Sequence, residues 1–168
     1  TTTGNISITA ASITTGTITD NGGNISLITM SGNVLVDNSV TANGNTTTIT
    51  SAGTINGAGL VTANTVDLNA ATGIGDTTSL ELAASNISAD NTTSGKIDID
   101  NTLSGSITVS TLTTLAGGNI LFDQSGTGSV NFTTVSTGTS AVEGQSDITL
   151  TNTAGSLTVG NSITALGL

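Results

Sequence analysis

Aliphatic and small polar residues alternate in short segments that recur along the whole chain. Each segment has two apolar positions with one polar residue between them, and the seven steps from Ile6 to Ile148 average about 20 residues. A period of two predicts β-strands with apolar side chains inside and polar side chains outside. The paired positions are Ile6/Ile8, Ile25/Leu27, Thr47/Ile49, Val66/Leu68, Ile87/Ala89, Ile107/Val109, Val130/Phe132 and Ile148/Leu150. The residues predicted to face outward are Ser7, Ser26, Thr48, Asp67, Ser88, Thr108, Asn131 and Thr149.

A second strand is predicted roughly ten residues after most of the first ones, often opened by Gly. These strands span 16–18, 32–36, 53–55, 95–99, 118–122 and 155–159, with less regular candidates at 80–82 and 142. The many β-branched residues and the Gly and Asn punctuation exclude a helical interpretation. Repeats of this length cannot bury an apolar face alone, so they must stack. The sequence therefore predicts an all-β fold, a right-handed parallel β-helix of about eight coils of roughly 20 residues, as a single domain over residues 1–168.

Asparagine precedes many of the first strands. In a stacked solenoid, an Asn in the same turn of successive coils can hydrogen-bond to the copies above and below it. We interpret the series as such a ladder, against the alternative that Asn is only a frequent turn residue. The series is Asn5, Asn24, Asn45, Asn64 and Asn86.

Two segments, 69–79 and 133–147, interrupt the repeat and carry Asp76, Glu143 and Asp147. Insertions in solenoids usually loop out on one face, where binding sites occur. A solvated loop with no partner is the alternative for both segments.

Composition narrows the classes of partner. Aromatic residues make up 1% of the chain and charged residues 7%, Pro and Cys are absent, and the net charge is −10 with Lys96 as the single basic residue. Binding to nucleic acid or to an anionic membrane surface needs basic residues, so both are excluded. No apolar run is long enough for membrane insertion. The absence of Pro favours continuous strand ladders.

Catalytic chemistry has few candidates in this sequence. Without His, Cys, Tyr or Arg, only carboxylate pairs remain for acid–base work, and Asp98 and Asp100 are predicted to project outward from one strand. The calcium-binding nonapeptide repeat is absent, and its nearest fragments, 20–24 and 73–76, occur once each. We therefore predict no enzymatic activity, no catalytic, cofactor-binding or metal-binding residues, and no cofactor.

The sequence bears on two further properties of the surface, N-glycosylation and ice binding. Sequons indicate N-glycosylation only in a host that has the glycosylation machinery. They occur at Asn5, Asn24, Asn45, Asn86, Asn91 and Asn131. Ice binding needs a regular Thr array, but the Thr-x-Thr pairs do not follow the step of the coils. These pairs are Thr17/Thr19, Thr48/Thr50, Thr111/Thr113 and Thr149/Thr151.

The recurring strands GNISI, GNVLV, GSITV, GNILF and GSLTV resemble those of the filamentous-haemagglutinin-like repeat adhesins of bacteria. The resemblance covers nearly the whole chain and implies a long, secreted right-handed β-helix that serves in adhesion and biofilm surfaces. The Asn-Pro-Asn motif of the secretion domain is missing, because the chain has no Pro.

The sequence thus favours an extracellular or bacterial cell-surface structural protein, an adhesin shaft or fibre subunit. The N-terminus lacks a signal peptide, and residues 4–8 and 155–168 look like ordinary repeat, with Ile163, Leu166 and Leu168 at the end. Either the chain is a section of a longer repeat, or it is a processed subunit that stacks end to end on copies of itself. The alternatives are a binding module for host or matrix glycans or for ice, and a polysaccharide-degrading enzyme.

Overall fold

A computed structural model describes residues 4–140 and 144–167, and every helix or strand in these residues is a β-strand. Three residues named above, Val142, Glu143 and Leu168, lie outside this description. The strands are β1 (Ile6–Ala10), β2 (Ile13–Thr14), β3 (Ile18–Asp20), β4 (Ile25–Thr29), β5 (Val34–Leu35), β6 (Val40–Ser51), β7 (Ile55–Asn56), β8 (Val61–Ala70), β9 (Leu80–Asn91), β10 (Ile97–Asn101), β11 (Ile107–Thr114), β12 (Ile120–Gln124), β13 (Val130–Ser136), β14 (Ile148–Asn152) and β15 (Leu157–Thr164).

Strands one turn apart pair in parallel throughout the described residues. The pairing forms a β-solenoid of about six turns with a spacing near 22 residues. The all-β parallel fold is therefore confirmed, while the predicted eight coils of 20 residues differ slightly in both numbers. The spacing is larger mainly because the later connections are longer, and the register shifts after Val109 and after Phe132 add one residue each.

The strands form three faces, which we call A, B and C. Face A contains β1, β4, β11, β13, β15 and the second halves of β6, β8 and β9. Face B contains β3, β10, β12, β14 and the first halves of β6, β8 and β9. Face C contains the short strands β2, β5 and β7, and continues through an isolated bridge at Ile74. Each early turn is thus three-sided.

Faces B and C merge halfway along the solenoid. Ile74 of face C pairs with Ile97, while Leu80 of face B pairs with Ile99. Both Ile97 and Ile99 lie in the single straight strand β10. The loop 75–79 therefore has no counterpart in the next turn, and the turns from β10 onward are two-sided.

The predicted assignment of segments to first and second strands was partly wrong. The first-strand series slips by two residues after Ile87, which pairs with Val109 rather than with Ile107. Ile148 lies on face B, and the last strand of face A is β15, in which Val159 pairs with Phe132. The predicted second strands likewise fall on three different faces. All these segments share the same local alternation, so their sequences do not distinguish one face from another.

Inward and outward positions agree with the prediction. Ile107 is 1% exposed, whereas Thr108 is exposed. The buried aliphatic side chains of all three faces form one continuous core. Its two aromatic residues, Phe122 and Phe132, pack edge to face with ring centroids 5.2 Å apart. Burial of this apolar surface is the main stabilising contribution.

A column of buried polar side chains fixes the corner that follows face A. In three turns, with Ala70 at this position in the turn between Ser51 and Asn91, the polar side chain donates a hydrogen bond to a backbone carbonyl of the corner that follows it. Thr29 Oγ1 bonds to Gly32 O at 2.6 Å, Ser51 Oγ to Thr54 O at 2.9 Å, and Asn91 Nδ2 to Lys96 O at 2.8 Å. The column satisfies corner carbonyls that would otherwise be buried without a partner.

Gly118 lies at this corner, and we expect Gly118→Ala to destabilise the protein by about 1–3 kcal/mol. Its φ is +117°, and an added Cβ would overlap the carbonyl oxygen of Gly95 in the adjacent turn. Gly16→Ala is the matched control, because a Cβ at Gly16 meets nothing within 4 Å. Urea denaturation followed by circular dichroism should show a lower midpoint for the first variant only. Equal midpoints for the two variants would show that close stacking at Gly118 does not limit stability.

Candidate assembly surfaces and outer faces

The C-terminal end of the described solenoid exposes side chains that face the core elsewhere. β14 pairs only with β12, and β15 pairs only with β13. On β15, Leu157 is 40% exposed, Val159 45% and Ile163 40%. Leu157 and Ile163 border a recess of about 690 Å³. Its lining is Asp147, Ile148, Thr149, Leu150, Leu157, Ile163 and Ala165. This end thus combines unpaired backbone edges with an apolar hollow.

The N-terminal end is also open, but it is three-sided. β1, β2 and β3 each pair on one side only. Ile8 is 37% exposed and Ile6 is half-buried, while Ile13 is 7% exposed. No helix or strand covers either end within residues 4–140 and 144–167. Unpaired parallel edges of this kind accept a further strand readily.

Only the first part of the predicted asparagine ladder is present, and its hydrogen bonds differ from the predicted ones. Asn5 Oδ1 accepts a hydrogen bond from the backbone N–H of Asn24 at 2.9 Å, and Asn24 Oδ1 accepts one from Thr46 N–H at 3.0 Å. Asn45 instead donates its amide to the carbonyl of Asn43 at 2.8 Å. The predicted stacking of Asn24 on Asn45 is therefore wrong.

The register explains why the ladder stops. Thr46 and Thr65, rather than Asn45 and Asn64, occupy the ladder position in their turns, and Thr65 lies opposite Asn86. One additional residue before the strand moves each Asn out of the column. Asn64 takes part only through its backbone carbonyl, which accepts Asn86 Nδ2 at 3.3 Å.

The outer side of face A carries a column of hydroxyl groups interrupted by a carboxylate. The carboxylate of Asp67 accepts a hydrogen bond from Ser88 Oγ at 2.7 Å. The Thr-x-Thr pairs lie on two different faces, since Thr48 belongs to β6 on face A and Thr149 to β14 on face B. The column consists of Ser7, Ser26, Thr48, Asp67, Ser88, Thr111, Thr134 and Ser162.

The two aspartates singled out on β10 are half-buried on the outer side of the strand, as predicted. Asp98 is bonded to Lys96 Nζ at 2.9 Å and to Ser79 Oγ at 2.9 Å. Asp100 lies opposite Glu81 on β9 and Asp123 on β12. Burial raises the pKa of Asp100, and the carboxylates of Asp98 and Asp123 raise it further. Glu81, Asp100 and Asp123 therefore form a row that no basic side chain neutralises.

Metal ligation has no support in the described part of the chain, where no group of three His, Cys, Asp or Glu residues could hold an ion. Asp76 and Asp147, in the two irregular segments, are both exposed. The end of the second segment is hydrogen-bonded to the solenoid. Asn119 Oδ1 accepts hydrogen bonds from the backbone N–H groups of Ser146 at 2.9 Å and Asp147 at 3.0 Å.

A groove of about 650 Å³ runs along the corner that follows face A in the later turns. Asp90, Thr113 and Ser136 line it with polar groups, and Leu115 and Leu166 form apolar walls. No aromatic ring is available for sugar stacking there, because both Phe side chains are buried in the core.

Sequence reasoning missed two buried amides inside the solenoid. Asn101 and Gln124 are fully buried, and Asn101 Nδ2 donates to Gln124 Oε1 at 2.7 Å. Asn101 also bonds to both backbone polar groups of Ala84, at 3.0 and 3.1 Å. The signal was present, since strict alternation through β10 and β12 places both amides on the inward side.

In the residues that the structure describes, no helix is long and apolar enough to cross a membrane. Comparison with protein-family models, curated proteins and solved structures gave no match to this chain.

Proposed function

We propose that this chain is an extracellular structural protein, an adhesin shaft or surface-fibre subunit, whose copies stack end to end through their terminal turns. The observation that carries the proposal is the exposed apolar surface of β15 together with the unpaired edges of β1 and β15. Inside the solenoid, the same positions are buried by the next turn. In the proposed assembly a second copy supplies that turn, and in a longer repeat chain the neighbouring repeat would supply it.

Stacking would add β1 of one copy to β15 of another as a parallel strand. Extending the columns of face A places Ile6 next to Val159 and Ile8 next to Ile163. β1 has one residue between its two aliphatics, whereas β15 has three. Pairing both aliphatic positions therefore requires a shift in strand register. The solenoid already contains smaller register shifts, for example after Val109. Because the two surfaces differ, such a contact is heterologous and builds an open filament.

The surface composition supports a location outside the cell. Outward positions are mostly Ser, Thr and Asn, and the chain carries one basic residue. Its strands resemble those of secreted repeat adhesins. Glycan recognition by the outer groove and enzymatic activity stay alternative hypotheses, and the structural role needs neither.

Replacing Ile163 with Lys should abolish assembly, because a charged side chain would then lie within the apolar stacking surface. Thr164→Lys is the matched control, since Thr164 is exposed on the same strand and the change in net charge is identical. Light scattering should show that molar mass rises with concentration for the wild type and for Thr164→Lys, but not for Ile163→Lys. Electron microscopy should show filaments for the first two proteins, and circular dichroism should show that all three are folded.

Two results would overturn the proposal. A wild-type protein that stays monomeric at all concentrations would exclude end-to-end stacking. Filaments that form equally well from Ile163→Lys would show that the contact lies elsewhere.

A further inference from the structure

Three carboxylates lie in register on consecutive strands of face B. Glu81 on β9 is opposite Asp100 on β10, and Asp100 is opposite Asp123 on β12. Adjacent strands are separated by about 4.8 Å, and all three side chains lie on the outer side of the face. Like charges directly opposite each other on neighbouring strands are destabilising. We call this row the carboxylate ladder.

No cation neutralises the carboxylate ladder. Lys96, the single basic residue of the chain, is bound to the adjacent Asp98 at 2.9 Å. The next strand, β14, places Thr151 opposite Asp123 and Thr149 beside it, and neither residue titrates. Asp123 Oδ1 is buried and has no hydrogen-bond donor among the residues that the structure describes. The ladder thus holds three adjacent acids whose charges are not compensated.

Acids on other parts of the surface are arranged differently. Asp20 accepts hydrogen bonds from the backbone N–H groups of Gly22 at 3.0 Å and Gly23 at 2.8 Å. Asp90 accepts one from the hydroxyl of Thr113. Each of these carboxylates accepts a hydrogen bond from a neighbouring donor. In the ladder, ionisation creates repulsion instead.

We propose that the carboxylate ladder makes the solenoid acid-responsive, so that the folded protein is more stable in mildly acidic than in neutral solution. Protonation of one carboxyl group removes a charge and supplies an O–H that donates a hydrogen bond to the neighbouring carboxylate. Asp100 should contribute most to this pH dependence, because it lies between the other two acids. This proposal does not depend on end-to-end stacking.

The direction of this pH dependence follows from the number of protons that the folded and the unfolded states bind. Burial raises the pKa of Glu81 above its ordinary value of 4.5, and Asp100 adds to this shift. The pKa of Asp100 is raised above 3.8 by burial, then by Asp98 and Asp123. The folded state therefore keeps protons at pH values where the unfolded chain has released them. Stability should fall as the pH rises from these ordinary values through the raised ones.

The experiment compares melting temperatures from about pH 4 to about pH 7.5, the range in which carboxyl groups with raised pKa values ionise. The wild type should melt at a lower temperature as the pH rises. Asp100→Asn should raise the neutral-pH melting temperature by about 2–4 °C. It should also flatten the pH dependence. Asp123→Asn should act in the same direction with a smaller effect.

Asp37→Asn is the control, because Asp37 is exposed in a turn and the variant changes the net charge equally. General repulsion from the charge of −10 predicts the same change for both variants. Equal melting temperatures for Asp100→Asn and Asp37→Asn, or a wild type that melts at a higher temperature as the pH rises, would overturn the proposal. Repeating the measurement at two protein concentrations separates the ladder from any assembly.

Discussion

Ile107→Asp is expected to destabilise the solenoid by at least about 3 kcal/mol. Ile107 is 1% exposed on β11 of face A, where it lies opposite Val130 of the next turn. A carboxylate at this site would be enclosed by aliphatic side chains, and no basic side chain faces it. Both ionisation and protonation would then leave a buried polar group without a partner. We expect partial or complete unfolding at room temperature, measured as a lower urea midpoint by circular dichroism.

Thr108→Asp is the control for this prediction, since it introduces the same side chain one residue later. Thr108 is exposed on the outer side of β11, opposite Asn86 and Asn131, and neither neighbour is charged. Its change in stability should lie within about 0.5 kcal/mol. Similar midpoints for Ile107→Asp and Thr108→Asp would show that the alternation of this strand is not what the structure shows.

This alternation is the part of the fold that could be predicted from the sequence. Whether Ile107 or Thr108 faces inward depends on a local period of two, which burial imposes on every strand. Parallel stacking followed from the recurrence of the pattern, because a lone coil cannot bury enough apolar surface to offset the entropy of ordering it. Local pattern and recurrence together therefore determined the fold class.

The face on which each strand lies could not be predicted in the same way. Ile148 has the same local pattern as Ile87, yet it lies on face B, because the connection between β13 and β14 is longer than the one between β11 and β12 and face A resumes only at β15. The place of a strand thus depends on the lengths of the connections, which the apolar pattern does not record. The step between equivalent residues changes accordingly, so a fixed period assigns the last turns to the wrong face.

The asparagine ladder shows a second limit. Asn24 and Asn45 both precede strands, but the structure places Thr46 in the position that pairs with Asn24. A single additional residue in a turn moves a side chain out of the column without altering the strand that follows. Composition and approximate spacing therefore predicted that Asn lies in turns, but not which Asn residues are neighbours.

The candidate surfaces also differ in whether the sequence could predict them. Exposed aliphatics near Ile163 were expected from the sequence, because the last segment continues the apolar alternation. The carboxylate ladder was not expected, since Glu81 and Asp123 are 42 positions apart in the sequence. Only the register of β9, β10 and β12 brings them next to Asp100.

The buried amide of Asn101 is the other feature that the register creates. Asn101 continues the inward side of β10 after Ile97 and Ile99. Its side-chain amide makes the two hydrogen bonds to Ala84 that the backbone of a paired strand would otherwise make. Its Oδ1 accepts the N–H of Ala84 at 3.0 Å, and its Nδ2 donates to the carbonyl of Ala84 at 3.1 Å. The side chain thereby satisfies a buried backbone unit that lies beyond the paired residues of β10.

Asn101→Leu should therefore destabilise the protein by about 3–5 kcal/mol, although Leu is apolar and similar in size. The change leaves the N–H and the carbonyl of Ala84 and the Oε1 of Gln124 without partners, and each such loss costs about 1–3 kcal/mol. Asn131→Ala is the control, because Asn131 is exposed on the outer side of β13 and should change stability by less than about 0.5 kcal/mol. Urea denaturation provides both values. A Leu variant as stable as the wild type would mean that water or a shifted backbone satisfies Ala84.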